Sequence, residues 1–176
     1  MAENLIKVSG EEFIVKLLNG ERDFSKIFLE EKFDLGGHEA FQKLKTYLKE
    51  QNLQKAPVDI SNSQFRYLKA RELYLPFTVG RNAILRGANL ESANFEGANF
   101  ESANLGNVNF KGANLKDACF VNADLWIANF RSVNLELANF EGAYLKGAYF
   151  GGANLKNVRN LTEVVNLGKE YLLEKK

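Results

Sequence analysis

A large apolar residue, Leu or Phe, recurs at every fifth position from Leu85 to Leu155 without a break in register. Ala or Val stands two residues before each of them, and the residue between is usually Asn. A strand would alternate apolar residues at every second position, and a helix would place them three and four apart. A period of five fits neither. It predicts a solenoid, in which short units stack and their Leu or Phe side chains form a continuous interior column.

The last position of the unit favours small residues that tolerate turns, as a corner in the chain requires. These residues are Gly87, Gly97, Gly112, Gly142, Gly147 and Gly152, with Ser92, Ser102 and Ser132 among them. The unit A-[N/D]-[L/F]-x-x resembles the pentapeptide-repeat family. The resemblance implies an all-β solenoid, a right-handed quadrilateral β-helix with four pentads in each coil.

Four pentads in each coil would stack residues that are twenty apart, and the two kinds of core residue then separate. Two opposite sides would hold the Phe columns, which are Phe100, Phe120, Phe140 and Phe110, Phe130, Phe150. The other two sides would hold the Leu columns, which are Leu85, Leu105, Leu125, Leu145 and Leu115, Leu135, Leu155. A three-sided coil would mix Phe and Leu on every side, whereas an even number of sides, two included, keeps them apart.

The β-helix is predicted over residues 58–160, because a degenerate version of the five-residue frame can be traced back to the start of this range. About five coils, at ~4.8 Å between stacked strands, give a rod about 25 Å tall. Residues 1–57 are predicted to form an N-terminal helical cap. This part also holds first pentads around 22–31 and a helical insertion at 37–52, which interrupts the solenoid.

Two helices are predicted in the N-terminal part. Ser9 followed by Glu12 resembles a capping box that opens a short helix, with Gly20 closing it. A second, amphipathic helix is predicted over 38–51. Its inward residues are expected to be Phe41, Leu44 and Leu48, with Tyr47 as a further candidate.

Residues 161–176 are predicted to form a C-terminal helix, capped by Thr162 and running to about Glu174. The ends of an open β-helix expose unpaired backbone groups and a cross-section of core, so both ends need covers. We expect the terminal helices to provide them and the chain to be a monomer. The alternative is a dimer through the C-terminal helix, since this position resembles that of dimer contacts in some family members.

Composition places the chain among compact proteins, with 176 residues, 45% hydrophobic content and formal net charge +1. No segment approaches the roughly 20 apolar residues that span a bilayer, and no secretory signal is visible, so we expect no membrane contact. The lone Cys119 excludes an internal disulfide and fits a reducing compartment. We therefore expect a cytoplasmic location.

Residues that could carry enzyme chemistry are few. His38, the single histidine, has no Cys or second His near it, and Cys119 stands in an outward position that Asn usually occupies. A reactive thiol would need a cationic neighbour, and no phosphate loop, HExxH motif or nucleophile elbow occurs. We expect a protein that is not an enzyme, with no catalytic residue, cofactor or metal. The Asn residues are expected to form a hydrogen-bonded ladder.

One side of the predicted rod differs from the others in its outward residues. Its fourth-position column includes no acid, and Trp126-Ile127 is the only adjacent pair of large apolar residues in the outward slots of the regular array. Apolar groups among cations are typical of a protein-binding surface. We name this candidate surface the Trp126 face; its residues are Arg66, Tyr67, Arg86, Trp126, Ile127, Tyr144 and Lys146. An equally weighted alternative is that the insertion, residues 36–56, covers it.

Two functions follow as hypotheses. The first is a rigid, non-enzymatic scaffold that binds an unidentified protein. The second is implied by the resemblance: some family members mimic duplex DNA, bind type II topoisomerases and protect them from quinolones. Such mimicry needs a strongly negative surface, and this chain has net charge +1 and a pI of about 7.8, which disfavours it. Direct nucleic-acid binding is not expected either, because the basic residues form no continuous stripe.

Overall fold

The computed structural model of the chain describes residues 5–29 and 32–161. Its helices and strands lie in the N-terminal third and are, in chain order, β1 (Ile6–Val8), α1 (Gly10–Leu18), β2 (Ile27–Leu29) and α2 (Phe41–Glu50). From residue 58 onward the chain repeats one parallel bridge and one turn in every five residues. The bridge stands at the second position of each pentad, and the turn occupies the fourth and fifth.

Bridges in the regular array join residues that are twenty apart in sequence. Gln64 pairs with Ile84, and Ile84 with Asn104. The Asn104 carbonyl accepts from the Leu85 N–H at 2.8 Å, and the Asn104 N–H donates to the Ala83 carbonyl at 2.9 Å. Each pentad provides one bridge residue, so twenty residues are four pentads and the coil has four sides. This finding excludes the two-sided coil.

The Phe columns pack as stacked rings along the rod axis. The Phe120 ring centroid lies 5.8 Å from that of Phe100 and 5.0 Å from that of Phe140, with interplanar angles of 18° and 12°. Phe130 stacks in the same way between Phe110 and Phe150. Rings of the two columns meet edge-on inside the coil, as Phe120 and Phe130 do at 77°. The predicted sorting of Phe into two facing columns is confirmed.

The first coil carries the insertion. Asp23 pairs with Asp59 and Phe28 with Gln64, so the segment around β2 stacks beneath the regular array. These partners are farther apart in sequence than twenty residues because α2 and its loops lie between them. β1 adds one more rung, with Lys7 opposite Phe28 in a parallel pair.

α1 packs its apolar side on the first coil. The Ser9 hydroxyl accepts a hydrogen bond from the Glu12 N–H at 3.1 Å, which is the capping bond that the sequence suggests. Phe13 is buried, and its ring centroid lies 4.8 Å from that of Phe24. The helix ends at Leu18.

α2 begins three residues later than predicted. Its first residue is Phe41, because the chain from His38 to Ala40 forms a turn in which the His38 carbonyl accepts from the Phe41 N–H. The inward residues Phe41, Leu44 and Leu48 are buried, as predicted.

Some predictions fall outside what the structure describes. The C-terminal helix predicted over 161–176 lies outside the described residues except for Leu161, the last of them, and the capping and dimer alternatives depend on it. The division of the chain into 1–57 and 58–160 also stays a prediction. Within residues 5–29 and 32–161, no helix is long and apolar enough to cross a membrane.

Candidate functional site

The Trp126 face is one side of the coil. Its candidate residues all belong to pentads of a single bridge column, which begins at Phe28 and continues through Gln64, Ile84, Asn104, Asp124 and Tyr144. Trp126 is 38% exposed and Tyr144 52%. Arg86 and Lys146 are also exposed, and Arg66 is half-buried. The ladder thus brings the candidate residues together on a surface open to solvent.

The centre of this face is a contact between a guanidinium group and an indole ring. The Arg86 Cζ atom lies 5.9 Å from the centroid of the Trp126 ring, within the range of a cation–π interaction. The two residues are two coils apart, and the coil between them has Gly106 at the same position. Because Gly106 has no side chain, Arg86 and Trp126 meet above it, and Gly106 is buried.

Ile127, next to the indole, has a strained backbone. Its φ is 55°, in the left-handed region, where the Cβ of an L-residue crowds the following carbonyl and β-branched residues are most disfavoured. It is the one β-branched residue with positive φ among the described residues. Strain of this kind persists only where the surroundings impose it, and it concentrates at functional sites.

Large corner residues on this face lie over glycines of the next coil. The Tyr67 ring occupies the space that a side chain at Gly87 would need, and Ile127 Cγ1 lies 3.2 Å from where a Cβ at Gly147 would stand. Tyr67 stays 43% exposed. Its φ is 57°, so it too is held in the left-handed region at a corner.

The insertion packs elsewhere and leaves the Trp126 face uncovered. From α2, the Lys45 Nζ lies 2.7 Å from Glu72 Oε2, and the Lys49 Nζ lies 5.9 Å from the centroid of the Tyr74 ring. The hydrogen bond from Lys45 lowers the pKa of the Glu72 carboxyl. Both contacts lie beyond the Trp126 face along the coil. The alternative that residues 36–56 bury the face is therefore wrong.

Each of the other three sides of the coil has an ion pair between outward charges of neighbouring coils. The pairs are Arg81–Glu101 at 3.0 Å, Lys156–Glu136 at 3.3 Å and Arg71–Glu91 at 3.4 Å. On the Trp126 face, Arg66, Arg86 and Lys146 make no ion pair with any residue in the described part of the chain. This face therefore carries positive charge that the rod itself does not neutralise.

Asn residues form the predicted ladder on the neighbouring side. The Asn129 amide donates to Asn109 Oδ1 at 3.0 Å, and the Asn109 amide donates to Asn89 Oδ1 at 3.2 Å. Each Oδ1 also accepts the backbone N–H two residues on, as Asn129 does from Arg131. These amides thus satisfy one another and the corners of the coil, so they serve the fold.

His38 and Cys119 have surroundings that explain them without catalysis. His38 Nε2 lies 2.8 Å from Glu11 Oε1, and Nδ1 accepts the Ala40 N–H at 3.1 Å, so the ring joins α1 to the start of the insertion helix. Cys119 is a half-buried free thiol between Asn99 and Asn139 in their bridge column. Across residues 5–29 and 32–161, no three His, Cys, Asp or Glu side chains group as a metal site.

Tyr149 is an exposed aromatic residue that the sequence analysis did not select. It is 44% exposed, and the Arg131 Cζ lies 4.7 Å from its ring centroid, so the regular array carries a second arginine–aromatic pair on the side next to the Trp126 face. The sequence could have pointed to it, because Tyr149 stands at the second position of its pentad, where Asn is usual. Tyr144, which was selected, stands at the same position one pentad earlier.

Comparison with protein families finds two overlapping matches. The model described as "Pentapeptide repeat region" matches residues 83–159, and the model described as "Pentapeptide repeats (8 copies)" matches residues 59–97. Together they cover the array of bridges and all residues of the Trp126 face. A comparison with curated proteins finds no match.

Solved structures similar to the chain are also pentapeptide-repeat proteins. One, from the Arabidopsis thaliana thylakoid lumen, is 26% identical, with 63% of this chain and 73% of that one covered, at a TM-score of 0.45. Rfr23 from the cyanobacterium Cyanothece 51142 is 25% identical, with 85% and 99% covered, at 0.28. QnrB1, a plasmid-mediated fluoroquinolone resistance protein, is 16% identical, with 77% and 66% covered, at 0.33.

Proposed function

This chain belongs to the pentapeptide-repeat family, and from that premise we propose that it is a non-enzymatic scaffold whose Trp126 face binds a protein partner. The observation that carries the proposal is the exposed Arg86–Trp126 pair on a side whose cations have no carboxylate partner in the described chain. Trp, Tyr and Arg are the residues that dominate binding energy at protein interfaces. A coil that stacks at a fixed spacing holds them in a constant arrangement.

Ile127 supports the same surface independently. A Gly, Asn or Ser would fill its corner with less strain, as these residues do at most corners of the array. Its side chain is not required by the interior, because it points into an outward slot and is half-buried beside Trp126. A binding role for the Trp126-Ile127 pair accounts for retaining a strained apolar residue there.

A crosslinked pull-down from lysate of the source organism tests this proposal. Three baits are compared: the wild-type chain, a Trp126→Glu/Ile127→Glu variant and a Leu137→Glu variant. Leu137 is the matched control, because it occupies the same corner position on the opposite side, with φ of 64°. We expect a partner to be captured by the wild type and by Leu137→Glu, and to be lost from the double variant.

Circular dichroism distinguishes loss of the site from loss of the fold. Unchanged spectra for all three baits assign the lost partner to the surface, since none of the substituted residues belongs to the core columns. A partner that the folded double variant still retains would remove the Trp126 face as the binding site.

Two further variants test whether Cys119 or His38 is needed for function. Cys119→Ser and His38→Ala variants are expected to capture the partner as the wild type does, because neither side chain lies on the face. We also propose a cytoplasmic setting, which the single cysteine supports.

Topoisomerase modulation stays the disfavoured alternative. A DNA mimic presents continuous negative charge, whereas here carboxylates such as Glu101 and Glu136 are paired with the cations Arg81 and Lys156. Inhibition of gyrase supercoiling by the purified chain would restore this alternative, and an unaffected assay is expected.

A further inference from the structure

We infer that the Trp126 face binds an acidic, extended segment of its protein partner, which runs along the rod axis. This inference rests on the proposed function and adds the chemistry of the partner. The face supplies two features at once, positive charge without internal neutralisation and exposed apolar groups between the charges. A segment that carries both carboxylates and apolar side chains is complementary to both features.

Positive charge predominates within the five pentads of the face. Within its five pentads, residues 63–67 to 143–147, Asp124 is the only acid, and its Oδ1 accepts the Trp126 N–H at 3.1 Å. The corner column before the face, from Asn62 to Gly142, contains no acid. The bridge column after it contains no acid from Lys69 to Tyr149, and Asp34, which precedes Lys69 in that column, pairs with Lys69 at 3.5 Å. Within these five pentads, a partner carboxylate therefore meets three cations, Arg66, Arg86 and Lys146, and one opposing charge, that of Asp124.

The Arg86–Trp126 contact prepares the guanidinium to receive a carboxylate. The cation–π contact places the Arg86 Cζ 5.9 Å from the centre of the indole and so localises the guanidinium on the face, where its N–H donors can bind a carboxylate in a bidentate manner. A group that is already oriented loses less entropy when it binds. The indole beneath it and the neighbouring Ile84 and Tyr144 provide apolar contact for an uncharged side chain of the same segment.

The spacing of the cations sets the direction and length of the segment. Arg86 and Lys146 stand at the same pentad position three coils apart, which is about 14 Å at ~4.8 Å per coil. An extended chain rises about 3.3 Å per residue, so two carboxylates about four residues apart match this distance. Trp126 lies between these cations along the axis. The pattern expected in the partner is therefore acidic residues on both sides of an apolar one.

Nucleic acid would satisfy the cations, and its bases could stack on the exposed Tyr67, Trp126 and Tyr144 rings, but it would leave the aliphatic part of the face unused. Three basic residues in one column form a short track for a phosphate backbone. The half-buried Ile127 and Ile84 offer aliphatic surface rather than stacking platforms. The aliphatic content of the face favours protein.

Peptide binding to the full-length chain tests the inference. The probe is a fluorescein-labelled peptide, Glu-Glu-Ala-Leu-Ala-Glu-Glu, followed by anisotropy, with the emission of the chain's only tryptophan, Trp126, as the report of contact at the face. We expect saturable binding with a change in Trp126 emission. The same peptide with Gln for each Glu should bind at least about tenfold more weakly, since each lost charge-assisted hydrogen bond costs about a factor of ten.

Variants of the chain locate the site. The Arg86→Gln/Lys146→Gln variant keeps Trp126 as a reporter and should bind the acidic peptide at least about tenfold more weakly than the wild type. Lys111→Gln is the matched control, because Lys111 is an exposed cation on the next side of the coil. It should bind as the wild type does.

Several results would overturn the inference: no saturable binding, equal binding of the Gln peptide, an equal loss in Lys111→Gln, or tighter binding of a single-stranded oligonucleotide of the same charge. The proposed function fails separately. If the pull-down partner is lost with Trp126→Glu/Ile127→Glu but kept by Arg86→Gln/Lys146→Gln, the protein-binding face stands and the acidic segment does not.

Discussion

Two opposite sides of the coil, the Trp126 face and the side that carries Asn94, Asn114, Asn134 and Asn154, have the same kind of interior. Leu125 and Leu115 are both fully buried in their core columns. Outside, the two sides have little in common. On the second side, which we name the Asn134 side, the Asn134 amide donates to Asn114 at 3.2 Å and the Asn134 Oδ1 accepts from Asn154 at 2.9 Å.

Among the described residues, the Trp126 face has no such hydrogen bonds between Asn side chains of neighbouring coils. In the described chain, Asn104 Oδ1 accepts only the Gly106 N–H at 3.3 Å, and its amide donates to no neighbouring side chain. Outward charges also differ, because Lys156 pairs with Glu136 on the Asn134 side and the cations of the Trp126 face pair with no described carboxylate. The repeat thus determines the interior of both sides but leaves the outward positions free. Of these two sides, the one without the ladder carries the exposed Trp126, Tyr67 and Tyr144 rings.

The largest expected effect tests whether the interiors are equivalent. Leu125→Ala on the Trp126 face and Leu115→Ala on the Asn134 side should each lower the free energy of unfolding by about 2–5 kcal/mol, because each removes a fully buried side chain and leaves a cavity. Urea denaturation followed by circular dichroism measures both. A difference between them larger than about 1 kcal/mol would break the comparison, since the sides would then differ inside as well.

Replacing one Asn in the bridge column should lower the stability of the chain more on the Asn134 side than on the Trp126 face. Asn134→Ala deletes bonds to Asn114, Asn154 and the Glu136 N–H, so we expect a loss of about 1–3 kcal/mol in unfolding free energy. Asn104→Ala deletes one accepted bond and should cost less than about 1 kcal/mol. Equal losses in urea denaturation would contradict the view that only one of these sides is held by a ladder.

Relieving the strained corner should stabilise the chain. Ile127→Asn is expected to raise the unfolding free energy by about 1 kcal/mol, because Asn tolerates the left-handed region that a β-branched residue does not. Leu137→Asn on the opposite side should gain less, since Leu is not β-branched. Thermal denaturation of both variants measures the gains, and a destabilised Ile127→Asn variant would show that the Ile127 side chain supports the fold.

Adding an Asn–Asn hydrogen bond to the Trp126 face should have the smallest effect on stability. Asp124→Asn would place an amide next to Asn104 Oδ1 and should raise the unfolding free energy by roughly 0.5–1 kcal/mol. It also removes the only acid of the face, so the acidic peptide should bind more tightly. Asp124→Ala is the control, because it removes the charge without adding a donor. Weaker peptide binding in Asp124→Asn would count against the charge argument.

The fold could be predicted because a large apolar side chain, which must be buried, recurs at every fifth residue from Leu85 to Leu155. The Phe and Leu columns then indicated an even number of sides, and only the bridges between residues twenty apart selected four. The insertion was harder. Its helix was predicted from periodicity, but nothing periodic relates it to a side of the coil, so its packing near Glu72 and Tyr74 could not be read in advance.

The sequence was enough to predict which residues lie on the Trp126 face, but it could not predict which of their side chains touch. Because residues twenty apart stack, Arg86, Gly106 and Trp126 were expected in one column. The contact between Arg86 and Trp126 above Gly106, however, depends on the conformations of their side chains. The strain at Ile127 could have been foreseen, because it occupies the position where Gly, Asn and Ser recur. Tyr149 was missed because its column was treated as part of the Asn ladder.

The most direct test labels Trp126 with 5-fluorotryptophan and follows its fluorine resonance. The chain has one tryptophan, so a single signal reports on the centre of the Trp126 face. We predict that adding the partner captured by the wild-type bait shifts or broadens this resonance, and that the Arg86→Gln/Lys146→Gln variant needs more partner to do so. A partner that co-elutes with the chain while the resonance stays unchanged would contradict the account, because it would bind some other part of the molecule.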